Sequence, residues 1–201
     1  IEDPDLYRFL DDAEKKLGIE ITRWADGRDI WEVFKDRKFL GNSRVDPCSQ
    51  ELKRNQTKKF LKTFDSEETV VYIGYDYTEL HRLERSIKYW SPFKIEAPLT
   101  EPPYLDKEDM KKLILEDGIE IPELYKLGLS HNNCSGGCVK AGIGHFAQLL
   151  TVSPERYAYW ENKEIEIREY LNKDVSILKK RYGSSRKGTT VTEPLPLFKL
   201  R

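Results

Sequence analysis

The run Val70-Val71-Tyr72-Ile73-Gly74 lies between two amphipathic segments, and this alternation most narrows what the chain can fold into. Before it, a helix starting at Ser49 carries Leu52, Phe60 and Phe64. After it, Thr78 caps a second helix that reaches about Tyr89, and Ile95 to Leu99 is a further short strand, ended by Pro98. Strands of four or five apolar residues alternating with amphipathic helices predict an α/β protein built on a parallel sheet.

The N-terminus follows the same grammar. Asp3-Pro4 supplies an N-cap and a proline at the first helical position, Leu6, Phe9, Leu10, Ala13 and Leu17 form one apolar face, and Gly18 stops the helix. Ile19-Glu20-Ile21-Thr22 then alternates like a strand. A chain opening on a helix followed by a strand reads as the second half of a βαβ unit, so a first strand is expected upstream of Ile1. The second half has another character. Asp106 to Glu116 is helical and ended by Gly118, Pro122 to Leu127 gives one or two turns, and a Gly- and Asn-dense loop covers Ser130 to Gly142. Ser153-Pro154 starts a long helix with Tyr157, Trp160, Ile167 and Leu171 on one face. The expected organisation is an α/β core over 1–100, a helical part with a cysteine-rich loop over 101–178, and a basic tail over 179–201.

Composition excludes several classes. Hydrophobic residues are 38% and charged residues 34%, with mean hydropathy −0.68, yet 11 Tyr, 8 Phe and 4 Trp are enough large side chains for a packed core. Lys and Arg number 34 against 35 Asp and Glu, so the net charge of −1 selects no partner class. No apolar run approaches the ~20 residues of a membrane span, and the chain opens on no signal-peptide pattern. Three cysteines do not make a secreted disulfide framework. A soluble, cytoplasmic protein without a membrane partner is expected.

Three features could carry chemistry. The first is Cys134-x-x-x-Cys138, in a loop whose glycines let the backbone fold around a metal. Cys48, just before a helix, is the only other thiol. A three-cysteine cluster and a Cys₃His zinc site using His131 or His145 are both stoichiometrically open; the alternative is three unrelated thiols. The second is Gly74 to Arg82, a turn at the carboxyl end of a strand, where open α/β sheets bind ligands. Arg82 and Arg85 there could grip a phosphate, or simply belong to a solvated helix face. The third is the tail, where Lys179, Lys180, Arg181, Arg186 and Lys187 surround Gly183-Ser184-Ser185. Such a flexible cationic segment suits nucleotide phosphates or nucleic acid, and also plain solubility.

Together these segments resemble the phosphoadenosine phosphosulfate (PAPS) reductase-like family of PP-loop ATP pyrophosphatases, through nearly the whole chain. Ile1 to Leu10 is similar to the segment after that family's Asp-Thr-Gly turn, with Glu2 in the acidic position. Pro47-Cys48-Ser49-Gln50-Glu51-Leu52-Lys53 is similar to its Cys-x-x-x-Leu/Arg-Lys element, and Gly74 to Arg82 to its Gly-x-x-x-x-Glu-x-x-Arg element. Asn132-Asn133-Cys134-Ser135-Gly136-Gly137-Cys138-Val139-Lys140 is the most specific piece, and Asp174 to Arg181 resembles the closing segment of phage and bacterial members. The Ser-Gly-Gly-x-Asp-Ser loop that names the family would lie upstream of Ile1. The Glu-Cys-Gly-Leu-His motif of true PAPS reductases is absent, since no cysteine follows Cys138.

The resemblance implies a parallel-sheet PP-loop (adenine nucleotide alpha-hydrolase-like) core with a helical C-terminal part. It implies an enzyme that binds ATP or another adenine nucleotide and holds a 4Fe–4S cluster, with zinc as the alternative, on Cys48, Cys134 and Cys138. One iron would stay free for an incoming sulfide. Glu2, Lys53, Gly74, Glu79, Arg82, Lys179, Arg181 and Arg186 would bind nucleotide or substrate. The implied reaction is sulfur transfer (thiolation) to an activated substrate, a nucleic acid among those admitted. Sulfonucleotide reduction and a non-catalytic zinc-stapled binding module are the alternatives, and a homodimer is compatible with each.

Overall fold

The computed structural model describes residues 2–182 and 191–201. It is mixed α/β, about 53% helical, with a small parallel sheet of two strands. The chain divides into two compact units, each assembled from separate stretches. The first comprises Ile1–Asp11, Ala25–Arg54 and Pro122–Arg201, the second Asp12–Trp24 and Asn55–Ile121. Helix α1 (Pro4–Leu17) contributes to both and has the expected ends. Asp3 Oδ1 accepts the Asp5 N–H at 2.9 Å, and Gly18 leaves the helix at φ 64°.

In the first unit, helix α2 (Ile30–Asp36) begins at a capping box. Asp29 accepts from the Glu32 N–H at 2.8 Å while Glu32 accepts from the Asp29 N–H at 2.7 Å. A π-helical turn (Ser49–Arg54) ends this stretch of the first unit and leads into α3 (Asn55–Leu61) of the second, so the helix expected from Ser49 starts wider than an α-helix. After α4 (Leu80–Trp90) and α5 (Lys107–Glu116) of the second unit, short α6 spans Glu123–Lys126, and α7 (Ile143–Val152) and α8 (Pro154–Leu171) follow it. Pro154 separates the last two, because it has no N–H to continue α7 but suits the first position of α8. Helix α8 packs on α7 and α2. Its face of Tyr157, Trp160 and Ile167 is fully buried, together with Phe34 and Phe146. The Trp31 and Trp160 rings meet edge-on at 4.9 Å. Such an edge-to-face pair contributes about 0.5–1.5 kcal/mol beyond its area.

Strands β3 (Leu178–Tyr182) and β4 (Val191–Leu195) come after α8 and pair antiparallel, Leu178 opposite Leu195 and Tyr182 opposite Val191. The described part of the basic tail is therefore an ordered ladder rather than the flexible segment expected. Ser176 ties its base, donating to the Leu178 carbonyl at 2.5 Å and accepting the Leu195 N–H at 3.0 Å. Arg186 and Lys187 lie outside the described residues.

In the second unit, β1 (Val70–Tyr72) and β2 (Lys94–Glu96) pair in parallel across α4 (Leu80–Trp90), and α5 (Lys107–Glu116) starts at the Asp106 cap. The parallel pairing agrees with the sequence. The expected burial of the first strand does not: Val70 is 37% exposed and Tyr72 65%, because β1 has β2 as its one described partner and only partial cover on its faces. Ile19 to Thr22 forms no strand. The Ile21 N–H is spent on the Glu14 carboxylate at 2.6 Å instead of a ladder. Among the described residues no helix is long and apolar enough to cross a membrane.

Candidate functional site

The cysteine loop belongs to the first unit, where α7 and the core hold it from below. Cys134, Ser135 and Gly136 take φ values of 51°, 50° and 86°, three successive left-handed residues of which two are not glycine. Each such non-glycine conformation costs of order 1–3 kcal/mol and persists only where its surroundings over-determine it. They do so here. Gly136 N–H and Gly137 N–H close tight turns onto the carbonyls of Asn133 and Cys134, each at 3.1 Å. His145 Nε2 donates to the Gly136 carbonyl at 2.5 Å, and the His131 ring stacks on His145 at 4.3 Å. Gly137 lies against Trp160 so closely that a Cβ there would come 2.2 Å from the indole nitrogen.

This geometry puts two sulfurs in contact. The Cys134 thiol donates a hydrogen bond to Cys138 Sγ, which holds Cys138 below the usual thiol range and, with burial, pushes Cys134 far above it. The Lys140 N–H and the Lys53 ammonium further favour the Cys138 thiolate. Cys48 packs against the same core, and burial pushes its thiol up to about 11, with the nearby Cys138 charge adding to the rise. The thiol donors suit a soft metal or an iron–sulfur cluster. Among the described residues no three His, Cys, Asp or Glu are gathered closely enough to hold a metal ion, so in this conformation the three cysteines form a contacting pair with a neighbour.

Two residues expected to bind nucleotide or substrate lie beside this pair. Glu2 Oε2 accepts the Cys134 N–H at 2.6 Å, and Lys53 Nζ lies 3.6 Å from Glu2 Oε1. Lys179 and Arg181 are exposed on β3, while Arg186 lies outside the described residues. Gly74, Glu79 and Arg82 belong to the second unit. There the Arg82 guanidinium is paired with the Glu79 carboxylate and lies 4.4 Å from the centre of the Tyr75 ring. Asp76 Oδ1 caps the turn by accepting the Thr78 N–H at 2.9 Å. A phosphate at this turn would have to compete with Glu79 for Arg82.

A cavity of about 380 Å³ opens beside the cysteine loop, lined by Glu2, Asp3, Ser135, Arg156, Tyr159 and Trp160 among others. Arg156 is fixed there by Asp3, 2.7 Å away and 2% exposed. Sequence reading singled out neither Arg156 nor Tyr159. The only available signal was their position on α8 beside Trp160, and a helical spacing of that kind ordinarily marks core packing. The lining gives this concave space an aromatic wall of Tyr159 and Trp160, a guanidinium held by Asp3, and the carboxylates of Glu2 and Glu155, with the cysteine loop adjoining through Ser135. Comparison with known proteins finds no match to a family model, a curated protein or a solved structure.

Proposed function

We propose that this chain is part of a PAPS reductase-like PP-loop enzyme that uses an adenine nucleotide and a cysteine-ligated 4Fe–4S cluster to transfer sulfur to an activated substrate, with nucleic acid as the acceptor class. One observation carries the reading: Cys134 and Cys138 are paired across one left-handed turn, and Cys48 packs against the same core. A structural core has no need of two paired thiols on a strained turn, whereas a ligand set does. In this reading Cys48, Cys134 and Cys138 hold the cluster, which when bound supplies a site for inorganic sulfide. Glu2 orients the loop through the Cys134 amide, and Lys53 offsets negative charge on the thiolates. The substrate occupies the cavity next to the loop, against Tyr159 and the Asp3–Arg156 pair.

The test is anaerobic purification followed by iron, zinc and acid-labile sulfide analysis with an absorption spectrum. Broad absorption near 400 nm with iron and sulfide, lost in each of Cys48→Ser, Cys134→Ser and Cys138→Ser, is the expected result. A colourless protein holding stoichiometric zinc would replace the enzyme reading with the zinc-stapled module. A metal-free protein under these conditions would refute both.

A further inference from the structure

A second cavity, of about 270 Å³, lies in the first unit and is lined by Arg37, Phe39, Arg44, Asp46, Gln50 and Arg54, among others. Pro47, the residue before Cys48, also lines it. We infer that this cavity binds the phosphate backbone of a single-stranded nucleic acid, with Phe39 as the platform on which a base stacks. The inference deepens the acceptor class proposed above and rests on that part of the reading, not on the cluster.

Charge is the first ground. Arg37 is matched by Glu51 at 3.0 Å, and Asp46 has the Lys140 ammonium 3.9 Å away. Among the described residues neither Arg44 nor Arg54 is ion-paired, so two exposed guanidinium groups face a concave surface without a matching carboxylate. Guanidinium forks suit phosphate oxygens, and separate arginines suit successive phosphates of a strand.

Rigidity is the second. Lys38 leaves α2 at φ 47°, and the Phe39 N–H returns to the Phe34 carbonyl at 3.0 Å, which fixes the backbone carrying Arg37 and Phe39. Asn42 Oδ1 accepts the N–H groups of Arg44 and Val45 at 3.0 and 3.3 Å, which holds the Arg44 backbone. The third ground is the ring. Phe39 is 38% exposed at the rim of a basic hollow. A free phosphate gains nothing from an aromatic face, and a duplex hides the faces of its bases, whereas an unpaired base stacks on such a ring.

The experiment measures binding of a fluorescein-labelled twelve-nucleotide single strand to the 201-residue chain by anisotropy across a salt series. Iron and zinc are assayed on the same preparation, so loss of binding and loss of cluster are read separately. The Arg44→Ala/Arg54→Ala variant should weaken binding by at least about tenfold, the lower bound for a lost charge-assisted contact. It should also reduce the log–log salt slope by about 1.4, at ~0.7 per phosphate contact on a single strand. Phe39→Ala should cost about fivefold or more, the scale of one lost stacking contact, with the slope unchanged. Circular dichroism confirms that the variants fold, and Arg44→Lys/Arg54→Lys should retain most of the slope. Unchanged affinity in the double alanine variant overturns the site. Inorganic phosphate competing at equal concentration with no effect of Phe39→Ala, or duplex binding as tightly as single strand, overturns the assignment to a single strand.

Discussion

The Glu2 carboxylate and the Cys134 backbone amide meet at 2.6 Å, 132 residues apart in sequence, and this bond helps hold a strained turn in place. Glu2→Ala leaves a half-buried N–H on a buried cysteine without its acceptor. Such a loss costs about 1–3 kcal/mol. Glu2→Gln keeps an acceptor oxygen and should cost about half as much or less. Urea denaturation of the three proteins checks the ranking.

The contacting sulfurs predict unequal thiol chemistry in metal-free protein. Because the Cys134 thiol donates to Cys138 and lowers its pKa, Cys138 forms thiolate at lower pH than the other two and should react first with iodoacetamide near neutral pH. Cys134→Ala removes the donor, so the rate–pH profile of Cys138 should move to higher pH. Cys134, buried and pushed furthest up, should label slowest while the protein remains folded, with Cys48, pushed up to about 11, between the two. Peptide mapping of the alkylated sites at a series of pH values reads all three.

Gly137 is required by close approach rather than by its φ of −112°. Its Cα faces Trp160, which is fully buried and cannot yield to a Cβ 2.2 Å from its indole nitrogen. Overpacking of this kind costs about 1–3 kcal/mol, and Gly137→Ala should show it as a lowered Tm with the loop displaced. A Tm equal to wild type would mean that the ring moves freely.

Glu164 is buried on α8 and accepts the Ile177 N–H at 2.8 Å and the Leu197 N–H at 2.6 Å, one oxygen each. Glu164→Ala orphans both donors, each worth about 1–3 kcal/mol, and should detach the segments that flank the β3–β4 ladder. Burial raises its pKa, against the two hydrogen bonds that lower it, so the native state holds this proton more tightly than the unfolded chain does. Its contribution to stability is therefore greatest in acid and declines as pH rises from the ordinary carboxylate range through the raised value. Glu164→Gln should flatten that decline in a pH series of denaturation midpoints.

Elements that announce themselves locally were legible. Asp3 with Pro4, Asp106 and Ser153 with Pro154 start helices, and Gly18 and Gly118 stop them, because capping is decided within four residues of sequence. The parallel pairing of β1 with β2 followed from the strand–helix–strand order alone. Ile19 to Thr22 misled, because alternation shows which face a strand would bury but not whether another chain segment arrives to pair with it. The β3–β4 ladder was missed for the converse reason. Its first strand is four-fifths charged or aromatic, and only the partner Val191–Leu195 makes it a strand.

The candidate site divides in the same way. By itself the sequence determined the chemistry available: three thiols, two of them in one glycine-rich loop, and the acidic and basic residues at Glu2 and Lys53. Only the tertiary structure decided that Cys134 donates to Cys138, that Glu2 anchors the turn with Lys53 beside it, and that Arg156, Tyr159 and Trp160 wall the adjoining cavity. Residue type and spacing set what a side chain can donate, accept or ligate. Which atoms meet depends on packing α8 against α7 and α2, since burying those aromatic rings brings distant segments within hydrogen-bonding reach.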